Sequence, residues 1–298
     1  MSLQLEIINS SSVLYNPSPL FYIKDYYNYI VSICKTIIYD IECDLIIGNC
    51  NTMIKKAITI NINEEHTLVV KGENHGNIKD GIVKTNNGGI YLVRIHNFSN
   101  LLQSDIIIDY SIPNLINIDS SKLYNEYFKK CVYISACLYP FYNNKENRHI
   151  KTLTTFINTS QSRRRNLLSI LGDKHTNINN CFNKEDLMQL YRSSKVLVNI
   201  HQDENYHTFE ELRCLPALLC GMLVIAEESP LKESIPYSKY IIWISYDNIL
   251  QKVTDIIENY DMYHKKIFID SNIKECLENL EKMNYQSLKS KICSVKSI

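Results

Sequence analysis

Apolar residues along the chain fall into two alternating patterns: short, nearly continuous runs, and longer stretches spaced by three and four residues. The first suits strands buried on both faces of a sheet, and the second suits helices laid across them. Residues 3–8 (LQLEII) predict a first strand, Asn9–Ser12 a turn, and residues 21–38 a helix. Strands are then expected at Asp44–Ile47, Ala57–Ile62, Thr67–Val70, Ile90–His96, Asp105–Asp109 and Leu115–Ile118, with a hairpin-like stretch over 72–89. Ser121–Lys130 reads as a helix and Cys131–Ala136 as a strand.

The segment Tyr139–His149 is polar, contains Pro140 and lacks periodicity, so a domain boundary is expected there. Beyond it the alternation is regular. Strands are predicted at Thr152–Asn158, near Asn177–Cys181, and at Lys195–His201, Met222–Glu227 and Tyr240–Ser245. Helices are predicted at Ser162–Leu171, Lys184–Ser193, Thr208–Cys220, Pro230–Ser234, Asp247–Tyr260 and, last, 271–291. This is the rhythm of a doubly wound α/β fold. The expected division is 1–145 as one Rossmann-like domain, 146–270 as a second, and 271–298 as a helix folding back on the first.

Composition narrows the function. At 298 residues the chain is long enough for about two domains of the usual ~150 residues. With Lys+Arg 32 against Asp+Glu 32 it carries no net charge to attract a polyanion, so nucleic acid is not an expected partner. No apolar run reaches the ~18 residues of a membrane span, and the N-terminus lacks the basic and long apolar regions of a secretory leader. A cytoplasmic location follows as the expectation. The ten cysteines form no C-x-x-C pair and sit in apolar runs, as buried thiols do in a reducing compartment. Tyr 21 against Trp 1, with abundant Ile, Asn and Lys, points to an A+T-rich genome, such as that of a protist, a bacterium or a large DNA virus.

Ligands of doubly wound sheets bind outside the carboxyl ends of strands, which directs attention to three loops. The first, Asn158–Arg165, ends a strand and opens a helix with Ser162, Arg163, Arg164 and Arg165. Cations at a helix N-terminus oppose the macrodipole unless an anion joins them, so this is a phosphate or diphosphate candidate; pairing with nearby carboxylates is the other reading. In the second, a strand delivers His201 to a loop bearing Glu210, Glu211 and Arg213. The third places Glu227, Glu228 and Ser229 on a strand-to-helix turn, where carboxylates can accept hydrogen bonds from ligand hydroxyls.

Taken in order, INTSQSRRRNLLSIL, YRSSKVLVNIHQDENYHTFEELRCLPALLCGMLVIAEES and IPYSKYIIWISYDNILQKV resemble the donor-binding half of GT-B glycosyltransferases. The resemblance covers about 90 residues from Asn158 to Tyr246. It implies an α/β fold of two Rossmann-like domains facing each other across a cleft. It also implies transfer of a sugar from a nucleotide-sugar donor to a hydroxyl of a glycan or protein-linked glycan, in the hexosyl- or pentosyltransferase class, with no cofactor and no bound metal. The implied donor residues are Ser162, Arg163, Arg164, His201, Glu211, Arg213, Glu227, Glu228 and Ser229. Many members carry glutamates five and thirteen residues before the turn glycine; here, counting from Gly221, those places hold Pro216 and Thr208. Pro216 should kink or restart its helix, and Glu211, Glu227 or Glu228 are the candidates to replace the lost acceptor.

The first half would supply the acceptor side. His66 and Glu65, in Asn61–His66 at a strand end, are the candidates for general base, with Asp109 and His75 as lesser ones. A metal-dependent GT-A transferase needs an Asp-x-Asp triplet, which the sequence lacks. The alternative from another class is a GT-B-like binding or scaffold protein without turnover, which Pro216 favours.

Overall fold

The computed structural model describes residues 3–8, 10–16, 23–48, 56–70, 81–84, 90–122, 124–157, 159–160, 162–172, 175–179, 183–202 and 208–297. Over the first half these form strands β1 (Gln4–Ile8), β2 (Ser11–Tyr15), β3 (Leu45–Ile47), β4 (Ile58–Ile62), β5 (Leu68–Val70), β6 (Gly81–Lys84), β7 (Ile90–Val93), β8 (Ile106–Asp109) and β9 (Cys131–Tyr133). The helices are α1 (Lys24–Asp40), α2 (Phe98–Leu102), α3 (Ile112–Ser121) and α4 (Asn125–Lys130). One sheet runs β1-β2-β3-β4-β8-β9, parallel except for β1, which pairs antiparallel with β2. The strands β5-β7-β6 make a small antiparallel sheet inserted between β4 and β8, departing from the parallel pattern at the hairpin-like stretch.

Two elements differ from the expectation. The expected turn at Asn9–Ser12 runs into β2, because its serines find partners across the sheet edge: Ser12 donates from its backbone and its hydroxyl to Asp44, and Ser11 Oγ accepts from Cys43. The expected strand Leu115–Ile118 lies inside α3, whose N-cap Ser111 accepts from the Asn114 N–H and whose first turn holds Pro113. A capped N-terminus with proline in the first turn outweighs a four-residue apolar run.

The second half forms β10 (Ile150–Thr154), β11 (His175–Asn177), β12 (Ser194–Asn199), β13 (Leu223–Glu227) and β14 (Ile242–Ile244). Its helices are α5 (Ser162–Leu171), α6 (Lys184–Ser193), α7 (Glu211–Leu219), α8 (Ile249–Glu258), α9 (Tyr260–His264) and α10 (Ile273–Lys296). This sheet is wholly parallel in the order β11-β10-β12-β13-β14. The strand order reverses between β10 and β12, so a crevice opens outside their carboxyl ends. The first sheet has no such reversal among its parallel strands. The chain is thus an α/β protein with two Rossmann-like sheets meeting at a cleft.

The polar segment 139–149 is held closely against the second sheet. The Arg148 guanidinium, 5% exposed, donates to the carbonyls of Asn144, Tyr191, Ser194 and Cys220. Gly221, at φ +76°, makes this possible, since a Cβ there would stand 2.4 Å from Tyr142 O and 2.6 Å from the Arg148 guanidinium. From the other end, α10 packs on the first sheet. Its buried Asn284 accepts from the backbone and hydroxyl of Ser135 and donates to Ser135 O and Tyr29 Oη, filling the amide's capacity. One continuous core runs from Val13 to Ile292, with a satellite around Ile107, Ile118 and Tyr127 behind β8. Pro216 is buried inside α7 without ending it, so the helix does not restart there. Among the described residues eight cysteines are free thiols, and no helix is long and apolar enough to cross a membrane.

Candidate active site between the two sheets

The loop after β4 carries the first-sheet side of the site. Asn63 is buried there and uses its side chain twice: Nδ2 donates to Glu65 O at 2.9 Å and to Asp109 Oδ2 at 2.9 Å. Asp109 also accepts from Ser111 N, Asn114 Nδ2 and Tyr127 Oη at 3.0 to 3.2 Å. Asn114 Oδ1 in turn takes both the N–H and the hydroxyl of Thr67. The segment Asn63–Thr67 is therefore pinned at both ends, and Glu64, Glu65 and His66 project from a fixed backbone.

Opposite lie the two segments flanking the strand-order reversal of the second sheet. Glu64, Glu65, His66, Arg94 and Tyr110 on one side face Arg164, Glu210 and Arg213 on the other across a cleft of about 390 Å³. One carboxylate organises it. Glu210 lies 3.8 Å from His66 Nε2, 3.7 Å from Arg164 and 3.8 Å from Arg213. Arg164 is 3% exposed and stacks on the Phe156 ring at 4.8 Å. Three nitrogen bases around one loosely held carboxylate form a site with cationic character, suited to an anion.

The charges are tuned by these neighbours. Burial disfavours the His66 imidazolium, but Glu210, with Glu65 and Glu211 adding to it, outweighs burial and raises its pKa above the usual value. Burial likewise works against the Glu210 carboxylate, yet Arg213, His66 and Arg164 hold its pKa well below the ordinary range. Glu211 behaves oppositely: burial pushes it up to about 7, although hydroxyls of Ser111 and Tyr237 donate to it. Ser111 belongs to the first sheet's α3, so Glu211 is a second link across the interface. Burial and the neighbouring Glu65 raise Glu64.

The structure redistributes the residues singled out in the sequence. His66, Glu65, Arg164 and Arg213 meet in the cleft, and Glu211 and Ser229 line a narrow continuation beside His66. Two assignments need correction. Asp109, expected as a base, is wholly buried and saturated by four donors, so it supports the loop and touches no cleft. Arg163 turns to Glu227 at 2.5 Å and stacks on Tyr246 at 4.2 Å, so these two expected ligand groups hold each other instead. His66, expected as the base, stands in the cleft beside Glu210, which with Glu65 and Glu211 raises its pKa against the effect of burial.

The remaining described candidates do not line this cleft. His201 is 3% exposed; its N–H donates to Glu227 and its ring nitrogens face the carbonyls of Thr208 and Glu228, tying the ends of neighbouring strands together. Glu228 pairs with Lys232, and Ser162 is exposed at the start of α5. His75 lies outside the described residues. Glu210 and Glu64 stand in stretches that the sequence marks, Glu210 in the loop with Glu211 and Arg213 and Glu64 beside Glu65 and His66, but neither is given a role of its own there. Among the described residues no three His, Cys, Asp or Glu side chains are grouped to hold a metal ion.

No family model matches the chain. It is similar to two uncharacterized proteins of Acanthamoeba polyphaga mimivirus. One is 32% identical over 182 residues, covering 58% of this chain and 61% of the relative; the other is 24% identical over 204 residues, covering 67% and 63%. The chain thus spans about six tenths of the length of these curated relatives. In structure it is similar to an α,α-trehalose-phosphate synthase (UDP-forming) from Burkholderia vietnamiensis, with TM-score 0.45 and 8% identity over 94% of this chain and 82% of that one. It is also similar to the trehalose-6-phosphate synthase OtsA, with TM-score 0.48 and 8% identity over 100% of this chain and 89% of that one. A third similar structure, the glycotransferase of kitacinnamycin, has TM-score 0.38 and 9% identity over 94% and 84% of the two chains.

Proposed function

We propose that the protein is a glycosyltransferase of GT-B type, moving a sugar from a nucleotide-sugar donor to an acceptor hydroxyl without a divalent metal. The observation that carries this reading is the convergence of Arg164, Arg213 and His66 on Glu210 at the strand-order reversal of the second sheet. A departing nucleoside diphosphate needs fixed positive groups, and preorganised donors in a water-poor cleft are the largest single source of such stabilisation. Arg164 and Arg213 would receive the diphosphate, and the protonated His66 would reach it from the other lobe. Glu210 holds these cations together and yields part of their charge when the stronger anion arrives. The donor nucleoside would lie along the second-sheet side, with Glu211 and Ser229 close to sugar or ribose hydroxyls.

Two observations favour a second reading. Pro216, buried within α7, stands where many GT-B members present a glutamate to the donor, and Glu210 already neutralises part of the cationic cluster. A protein that binds a nucleotide or glycan without turnover fits those two facts. The discriminating assay incubates the full chain with UDP-, GDP- and ADP-sugars and measures nucleoside diphosphate release, with and without EDTA. Transfer or slow donor hydrolysis that survives EDTA supports the metal-free enzyme. Binding without release supports the scaffold, and release abolished by the chelator contradicts the metal-free mechanism.

A further inference from the structure

The outer side of β1 is an open edge: β1 ends the first sheet, and among the described residues no strand pairs with it beyond β2. Alternate residues of a strand direct their N–H and C=O groups to opposite sides, so about half of these groups in β1 point away from the sheet. Proteins usually blunt such an edge with lysine, proline, a bulge or a covering segment. The run Gln4–Ile8 holds neither lysine nor proline, and its register with β2 is one-to-one from Gln4↔Tyr15 to Ile8↔Ser11, so no bulge interrupts it. Its two faces differ. Glu6 and Ile8 lie toward α1, where Glu6 meets Lys35 and Ile8 joins the core. Leu3, Leu5 and Ile7 form the opposite row, 40%, 56% and 74% exposed, and Ile7 is the most exposed large apolar side chain among the described residues. An apolar row beside open backbone groups fits another strand.

We propose that β1 pairs antiparallel with β1 of a second copy of this chain, across a two-fold axis at Leu5, joining the two first sheets into one. The strand is self-complementary about that point: Leu5 meets the partner's Leu5, Leu3 meets the partner's Ile7, and Gln4 stands opposite the partner's Glu6. Among the described residues Glu6 accepts from Tyr15 and Lys35 through Oε1, which leaves Oε2 for the partner's Gln4 amide, and the symmetry makes that contact twice. An axis at Glu6 would instead set two carboxylates opposite each other. A two-fold contact is closed, so association stops at the dimer. A five-residue edge offers less than the ~1,200 Å² of a stable interface, so the dimer is weak and depends on concentration. Since β1 lines neither the cleft nor its continuation, the dimer does not depend on the transferase reading.

Sedimentation equilibrium of the full chain over roughly 5–500 µM should show monomer and dimer exchanging. Leu5 and Ile7 are exposed, so Leu5→Lys and Ile7→Lys should fold normally, as circular dichroism checks, and each should weaken the dimer by about tenfold or more. Gln4→Glu opposes carboxylates at two places and should weaken it about three- to tenfold, whereas Gln4→Lys should keep or tighten it. In the wild type, hydrogen exchange at residues 4–8 should slow as concentration rises, a readout that needs no substitution. A monomer throughout the range, association running past the dimer, exchange at 4–8 that ignores concentration, or a dimer indifferent to both lysine variants would overturn the interface. Equal effects of the two Gln4 variants would overturn the register.

Discussion

His66 Nε2, on the loop after β4, lies 3.8 Å from Glu210 Oε2, just ahead of α7, so the two sheets meet across the cleft through a contact that is an ion pair when the imidazole is protonated. The pKa of His66 is raised, which means the pairing is complete below its ordinary value of 6.5 and is lost as pH rises through the higher, folded value. Nucleoside diphosphate affinity should follow the same course, strongest near pH 6 and weaker by pH 8.5. His66→Gln should flatten that dependence and lower affinity near pH 6 by about tenfold, the size of one charge-assisted contact. Calorimetry across this pH range checks it; a wild-type affinity that rises with pH would exclude the imidazolium from the site.

Glu211 makes the opposite demand on stability. Its carboxyl is raised to about 7 from an ordinary 4.5, so the folded state binds the proton more tightly than the unfolded one. Stability should therefore fall as pH rises between those two values, by roughly 3 kcal/mol at most. Glu211→Gln keeps a partner for the Tyr237 hydroxyl and removes the ionisation, so it should stabilise the protein above pH 7 and leave it little changed near pH 5. Thermal unfolding at the two pH values decides; equal effects of the substitution at both would contradict the burial account.

Asp109 is a foundation of the site although no ligand reaches it. Removing its carboxylate leaves Asn63, Asn114, Tyr127 and the Ser111 N–H without their acceptor, and each buried group so stranded costs about 1–3 kcal/mol. Asp109→Ala should lower stability by roughly 3 kcal/mol or more, as read by denaturant unfolding. A variant as stable as the wild type would show that water replaces the carboxylate.

Gly221 is a backbone requirement of a different kind. With φ +76° and a prospective Cβ 2.4 Å from Tyr142 O, Gly221→Ala must displace the Arg148 segment from the second sheet. The expected loss is about 2 kcal/mol or more, from the strained backbone and the clash together. Arg148→Met, which removes four carbonyl partners, should destabilise comparably, and the two effects should be less than additive because they act on one contact.

Much of the fold was legible in the sequence because the second half follows local rules. Helices α5 and α6 begin and end where the pattern predicts, since amphipathic spacing fixes them and Asn183 caps α6. The first half is less transparent because distant partners decide it: Ser11 and Ser12 enter a strand through Asp44 and Cys43, which lie some thirty residues away. The site follows the same division. The arginines of α5 were visible as a group, but their separate roles depend on helical phase, which points Arg164 to the cleft, Arg163 to Glu227 and leaves Arg165 exposed. Glu64 and Glu210 acquire meaning only when β4 and α7, far apart in sequence, face each other.

That separation of the arginines gives the most direct test of the central claim. The measurement is calorimetric titration of UDP, GDP and ADP into the wild type, Arg164→Ala, Arg213→Ala and Arg163→Ala, with folding of each variant checked by thermal unfolding. A nucleoside diphosphate should bind the wild type, and Arg164→Ala and Arg213→Ala should each weaken it about tenfold or more. Arg163→Ala should chiefly lower stability through its stranded partner Glu227 and leave affinity within a few-fold. No binding of any of the three nucleotides to the wild type, or unchanged affinity in both Arg164→Ala and Arg213→Ala, would contradict the account.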